Sequence, residues 1–295
     1  MKKIISTTCF FLLVFLTIIA VPAGGSADTP WNRKLPFKEL TIHYTVSGME
    51  NGTETLFIQD YGQRRALVHE GTTSIMGFSS RNRRLEITDP NWHYTFDLEK
   101  QTGSKTVNPG KIYQEEFNKL SAAEKKNVLK NSKELGNSML RNFSGETVKN
   151  AATILGYNCD RTTVMGTTVY LIHNTDIMLR REMNMMGMQG KTEATSIDKG
   201  KVPPAAFALP AGIAPVRDEA AEAMTKQMVQ NIINTLKEPD GAEKMRSRTR
   251  QNSMMEMPPR GEPATAPRGR RREGPGQMPD NLQQGMKMIQ GLFGR

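Results

Sequence analysis

The 295-residue chain is poor in the residues that staple, ligate or catalyse: it holds two cysteines, four histidines and two tryptophans. Cys9 falls in an N-terminal segment that reads as an export leader, so Cys159 would stand alone in the mature chain. That excludes an intramolecular disulfide and leaves the fold to ordinary core packing. No Gly-x-Ser-x-Gly elbow occurs, and no Gly-rich phosphate loop follows a strand. His69-Glu70 opens like a zinc-protease motif, but Thr73 stands where the second histidine is required. His43, His93 and His173 are isolated from one another in sequence, each on a segment that reads as a strand. Hydrolase, nucleotide-binding and metalloprotease chemistry all lose their usual carriers. The sequence points to binding rather than catalysis, with no cofactor implied.

What is present begins with the leader. Lys2 and Lys3 supply a positive start, Ile4 to Ala20 form an apolar run, and Pro22 to Ala27 give a helix-breaking, small-residue exit. The apolar run is shorter than the ~20 residues a bilayer span needs. The expectation is a signal peptide over residues 1–27, cleaved after Ala27, and export to the periplasm or beyond. Residues 28–36 read as a linker. The formal charge of +10 is uneven: Lys2 and Lys3 carry two charges, and eleven Lys and Arg face six Asp and Glu from Pro239 onward. Residues 28–238 are left at +3, so no polyanion-binding face spans the domain, and nucleic acid is not an expected partner.

From Phe37 the pattern is antiparallel β. Leu40, Ile42, Tyr44 and Val46 alternate with Thr41, His43 and Thr45, the period of a strand with one buried face. Asn51-Gly52 then predicts a two-residue hairpin turn. Leu56 to Ile58, Arg64 to His69 and Leu85 to Thr88 follow as strands, the last closed by Asp89-Pro90-Asn91. Trp92, Tyr94, Phe96 and Leu98 alternate with His93, Thr95, Asp97 and Glu99. The period changes at Ser121-Ala122-Ala123-Glu124, a capping box. Behind it Val128, Leu135 and Met139 predict one amphipathic helix, within about residues 114–141, lying across the sheet. Strands resume over Thr147–Leu155, Asn158–Met165, Thr167–His173, Asp176–Met188 and Lys191–Asp198, with turns at Gly166 and Gln189-Gly190. A last helix fits Asp218 to Lys237, within a segment set at 214–238, with Ala221, Met224, Met228 and Ile232 on one stripe. Residues 239–295, rich in Pro, Gly, Arg and Met, predict a disordered basic tail. Its end carries a short amphipathic segment, Leu282, Met286, Ile289 and Phe293, behind a cap at Asp280.

Several of these stretches carry a family likeness. Ile154-Leu155-Gly156-Tyr157-Asn158-Cys159-Asp160, Ala194-Thr195-Ser196-Ile197-Asp198, Val202-Pro203-Pro204, Phe207-Ala208-Leu209-Pro210-Ala211-Gly212 and Tyr94-Thr95-Phe96-Asp97 mark corners and strand ends. In their order the chain resembles a family of periplasmic proteins of unknown function with the lipoprotein-carrier (LolA/LolB-like) fold, over about residues 37–213. The resemblance implies an α+β fold: an antiparallel meander forming a half-open barrel, covered by one or two amphipathic helices. It implies a concave face able to hold acyl chains, and it carries over no catalytic residues.

The functional expectation is a non-enzymatic, extracytoplasmic binding protein with a half-barrel cavity for an apolar or amphiphilic, lipid-like ligand. Leu40, Ile42, Tyr44, Trp92, Tyr94 and Phe96 are its candidate lining. Two other readings stay open. Soft thioethers bind Cu(I), and Met183, Met185, Met186 and Met188 crowd one segment, though strand alternation lets no more than two converge. Met254, Met255 and Met257 form a second cluster, and Met278, Met286 and Met288 a third. Alternatively, the tail recruits a partner through Leu282 to Phe293, or an anionic membrane surface through Arg268-Gly269-Arg270-Arg271-Arg272.

Overall fold

The computed structural model describes residues 29, 31, 34–75, 78–135, 146–164, 166–185 and 188–247. The expected leader, Met139, Met186 and the chain beyond 247 lie outside them, and with them the terminal amphipathic segment and the arginine run. The fold is α+β with a large antiparallel sheet. Eleven strands follow the meander: β1 (Leu40–Gly48), β2 (Glu50–Gln59), β3 (Arg64–Ile75), β4 (Phe78–Thr88), β5 (Trp92–Asp97), β6 (Thr102–Val107), β7 (Glu146–Ile154), β8 (Tyr157–Val164), β9 (Thr167–Ile172), β10 (Met178–Met185) and β11 (Met188–Asp198). A two-residue β12 (Val216–Arg217) adds in parallel to β6. The order is β12-β6-β5-β4-β3-β2-β1-β11-β10-β9-β8-β7. Two meanders are thus joined at the centre, where β1 pairs with β11.

Two turns differ from expectation. Asn51-Gly52 lies inside β2, and the β1–β2 reversal comes earlier, centred on Met49 after Gly48 (φ +108). Gln189-Gly190 likewise lies inside β11, which already starts at Met188. Gly52 and Gly48 mark close backbone crossings, whereas a Cβ on Gly190 would meet only Met183 Cε, at 3.5 Å. A Cβ on Gly52 would overlap the Glu70 carbonyl oxygen and lie 2.6 Å from Gly71 Cα. One on Gly48 would lie 2.9 Å from Gly190 Cα. A glycine needed for approach looks, in sequence, like a glycine needed for a turn.

The single inserted helix is two: α1 (Pro109–Asn118) and α2 (Ala122–Leu135). α1 starts with Pro109 in its first turn, and the Asn108 side chain accepts from Gly110 N at 2.8 Å. The α2 capping box forms as expected, with Ser121 N donating to Glu124 at 2.9 Å and Glu124 N to Ser121 Oγ at 3.3 Å. α3 (Glu219–Leu236) is capped by Asp218, which accepts from Ala221 N at 2.9 Å. A further helical turn covers 241–247, where Gly241 and Ala242 are buried, so the ordered chain continues past the expected boundary at Pro239.

The helices pack on one another rather than across the sheet. Ile112, Tyr113 and Phe117 of α1 meet Val128 of α2 and Val229, Ile232, Ile233 and Leu236 of α3. Trp31 stacks on Tyr113 and meets Phe117 edge-on, each at 5.3 Å. Each such side chain contributes about 1.5–3 kcal/mol when fully buried. The α3 stripe is therefore shifted: Ile232 is buried as expected, but Met224 is 73% exposed, and Val229, Ile233 and Leu236 take the core positions. The bundle joins the sheet at β6, where Val107 N donates to Glu222 at 2.9 Å. Arg217 holds that carboxylate below the usual glutamate range.

Candidate functional site

Cross-strand register decides which candidate lining residues meet. Ile42 pairs with Leu56, Leu56 with Leu67, Leu67 with Glu86 and Glu86 with Thr95. Directly paired residues point to one face, so Leu40, Ile42 and Tyr44 share a face with Thr95. Trp92, Tyr94 and Phe96 point to the other. The six do not converge on one hollow. Leu40, Ile42 and Tyr44 join Ile58, Cys159, Ile172, Ile177, Leu179 and Ala194 in a packed cluster on what becomes the inner face. On the outer face Tyr94 packs with Ala66, Ile87, Val202 and Phe207, under the segment that follows β11. Phe96 is fully buried close to Gly103, and Trp92 lies between the Lys105 ammonium (4.8 Å) and the Arg217 guanidinium (5.6 Å).

The inner face bends over its own cluster. Arg65 on β3 makes a bidentate pair with Asp176, in the β9–β10 connection, at 2.6 and 3.1 Å. The Tyr44 hydroxyl donates to the Met178 carbonyl, two strands away, at 2.7 Å. Burial pushes that hydroxyl's pKa upward, and the nearby Glu54 carboxylate adds to the effect.

Further along the inner face lies a polar seam centred on His69, which in sequence stands out only as the start of an incomplete zinc-protease motif. His69 Nδ1 bonds to Glu54 at 3.1 Å and Nε2 to Glu50 at 3.0 Å, while the Asn82 amide donates to Glu50 at 3.2 Å. His69 and Glu54 are both buried. The Glu54 hydrogen bond, with that of Glu50, raises the His69 pKa against the opposing pull of burial. A protonated imidazole offers two N–H donors to two carboxylate acceptors, which satisfies this arrangement. The remaining histidines bond to neighbours: His43 to Thr55 (3.2 Å), His93 to Thr88 (2.9 Å) and His173 to Asp160 (2.7 Å). Among the described residues no group of His, Cys, Asp and Glu side chains has metal-holding geometry. Of the methionine cluster, Met183 on β10 pairs with Gly190, and Met185 pairs with Met188 across the hairpin. Cys159 is fully buried, and burial pushes its thiol up.

A surface concavity of about 480 Å³ opens at the end of the central β1–β11 pair. Phe37, Lys38 and Glu39, entering β1, form one wall; Lys199, Gly200 and Lys201, leaving β11, form the other. Behind it, Phe37 and Tyr157 meet edge-on at 6.0 Å and pack against the inner cluster. The walls are held by backbone N–H donors. Tyr61 N donates to the Lys38 carbonyl at 3.1 Å, Val202 N to Glu39 at 2.6 Å and Gly200 N to Asp198 at 2.7 Å. Sequence reading passed over this site because its lysines flank the strands rather than alternate within them. The signal available was their spacing, Lys38 before β1 and Lys199 and Lys201 after β11.

Among the described residues no helix is long and apolar enough to cross a membrane. No protein-family profile and no curated protein matches the chain. Solved structures that match include PNGF-II, at 14% identity and a TM-score of 0.33, covering 65% of this chain. The chain spans about a third (33%) of the length of that protein. Another is an uncharacterized conserved protein from Thermus thermophilus, at 7% identity and a TM-score of 0.35, covering 60% of this chain and 90% of that one. At such scores neither likeness bears on function.

Proposed function

We propose that the protein is an exported, non-enzymatic binding protein, akin to the lipoprotein-carrier-like periplasmic domains, that holds an apolar or amphiphilic, lipid-like ligand. The observation that supports this reading is the 480 Å³ concavity, whose one aromatic lining residue, Phe37, packs with Tyr157 against the apolar inner cluster. Small-molecule sites commonly occupy about 300–1,000 Å³ and are mostly apolar with a few polar groups. Leu40, Ile42 and Tyr44 then act as the packed floor beneath the ligand rather than as its contact surface. An apolar chain lying on Phe37 would be shielded from water at little structural cost, because the aromatic pair is already in place.

The test is native mass spectrometry of full-length protein exported with its own leader, followed by lipid extraction and titration with a fluorescent fatty acid. The expected result is a co-purifying amphiphile, or saturable binding that Phe37→Ala weakens about tenfold. A protein that emerges empty and shows no saturable binding removes the reading.

A further inference from the structure

The same concavity is lopsided in charge. Three lysines, Lys38, Lys199 and Lys201, line it against one acidic residue, Glu39. The Glu39 carboxylate is engaged by the Val202 backbone N–H at 2.6 Å, and that of the adjacent Asp198 by Gly200 N at 2.7 Å. Lys199 also lies over aromatic rings. Its ammonium stands 5.6 Å from the Phe37 ring centroid and 5.3 Å from that of Tyr157, which packs behind Phe37. A cation beside an aromatic ring, with two more lysines in the lining, is a pairing of opposites. It suits a ligand with a compact anion at one end and a hydrocarbon at the other.

We infer that Lys38, Lys199 and Lys201 form a binding site for a phosphate-bearing group, and that, building on the proposed function, the ligand is an acidic amphiphile with its headgroup there and its chain on Phe37. The lining's surplus of two positive charges matches a phosphate monoester, which carries about −1.5 to −2 near neutral pH. Lysine suits this role as a point charge that tolerates several orientations of the headgroup. Because the three side chains lie at the surface, the interaction weakens as salt shortens the screening length.

The test uses the full mature chain in isothermal titration with four probes, each below its micelle concentration where one exists: dodecyl phosphate, dodecyl maltoside, glycerol 3-phosphate and inorganic phosphate. Wild type is compared with Lys199→Gln, with the Lys38→Gln/Lys199→Gln/Lys201→Gln triple variant and with the corresponding triple arginine variant. Thermal unfolding confirms that each variant folds. Dodecyl phosphate is expected to bind most tightly, to lose about twofold to fivefold with Lys199→Gln and tenfold or more with the triple glutamine variant, and to be rescued by arginine. Dodecyl phosphate binding the triple glutamine variant within twofold of wild type overturns the inference. So does dodecyl maltoside binding as tightly as dodecyl phosphate, an outcome that leaves the proposed function standing. If the two chain-free phosphates bind and lose affinity in the triple variant while neither dodecyl compound binds more tightly, the phosphate site holds and the lipid-like reading falls. If no probe binds, both fall.

Discussion

Replacing His69 with alanine tests whether the polar seam holds the inner face together. The imidazole makes two hydrogen bonds to carboxylates, at 3.1 Å to Glu54 and 3.0 Å to Glu50, and its side chain is only 10% exposed. A hydrogen bond to a charged group contributes about 1.5–3 kcal/mol, and removing its partner leaves the buried group uncompensated. Alanine would leave Glu54, itself 10% exposed, facing Glu50 across the vacated space. The expected loss is about 3 kcal/mol, or roughly 6–12 °C in Tm for a domain of this size. The sign with pH follows from the raised His69 pKa. A folded-state pKa above the unfolded value of about 6.5 gives stability that is full below that pH and fades as pH rises through the folded pKa. The difference between wild type and variant should therefore be largest near pH 6 and shrink toward pH 9. Urea unfolding followed through Trp31 and Trp92 fluorescence at both pH values measures it. A loss below about 1 kcal/mol at pH 6, or one that grows toward pH 9, refutes the reasoning.

Three further outcomes follow from close contacts. Gly52→Ala drives a methyl into the Glu70 carbonyl and toward Gly71 Cα, so strands β2 and β3 must separate; a loss of about 3 kcal/mol or more in urea unfolding is expected, and a neutral substitution would contradict the crossing. Asn131→Ala removes the amide that donates to the Leu236 and Glu238 carbonyls at 2.8 and 2.7 Å, uncoupling α2 from the end of α3. It should cost about 2–4 kcal/mol, with amide exchange accelerating first in α3, and unchanged exchange there would sink the idea. Native Cys159, buried on β8 with its thiol pKa raised, should resist a thiol reagent at pH 8 and react fully in denaturant; rapid native modification would show the site to be open.

Much of the strand content was legible, because local signals decide it. Alternation located β1 and β5, Gly166 marked the β8–β9 corner, and the Ser121–Glu124 box fixed the start of α2. The α1 helix was missed although Asn108-Pro109 carries its start signal, since its apolar positions, Ile112, Tyr113 and Phe117, merge with a polar stretch of weak periodicity. The expectation of a helix lying on the sheet failed for a tertiary reason. α1, α2 and α3 find their apolar partners in one another, and a helical stripe says that a face is buried without saying against what.

The candidate lining failed differently, and the reason bears on where a ligand belongs. Alternation fixes which residues share a face within one strand, but not which face of one strand matches which face of another four strands away. That parity is set by every turn between them, and a shift of one residue at any turn reverses it. Here four successive registers place Ile42 with Leu56, Leu67, Glu86 and Thr95, so the aromatic side of β5 is opposite to the aliphatic side of β1. Two apolar faces must then be covered separately, one by the bent sheet itself around Leu179 and Cys159, the other by Val202 and Phe207. Among the described residues, each apolar face is packed by the protein's own side chains. The proposed ligand site instead lies at the end of the central β1–β11 pair, where the chain enters β1 and leaves β11 and where Phe37, packed against the inner cluster, stands beside three lysines.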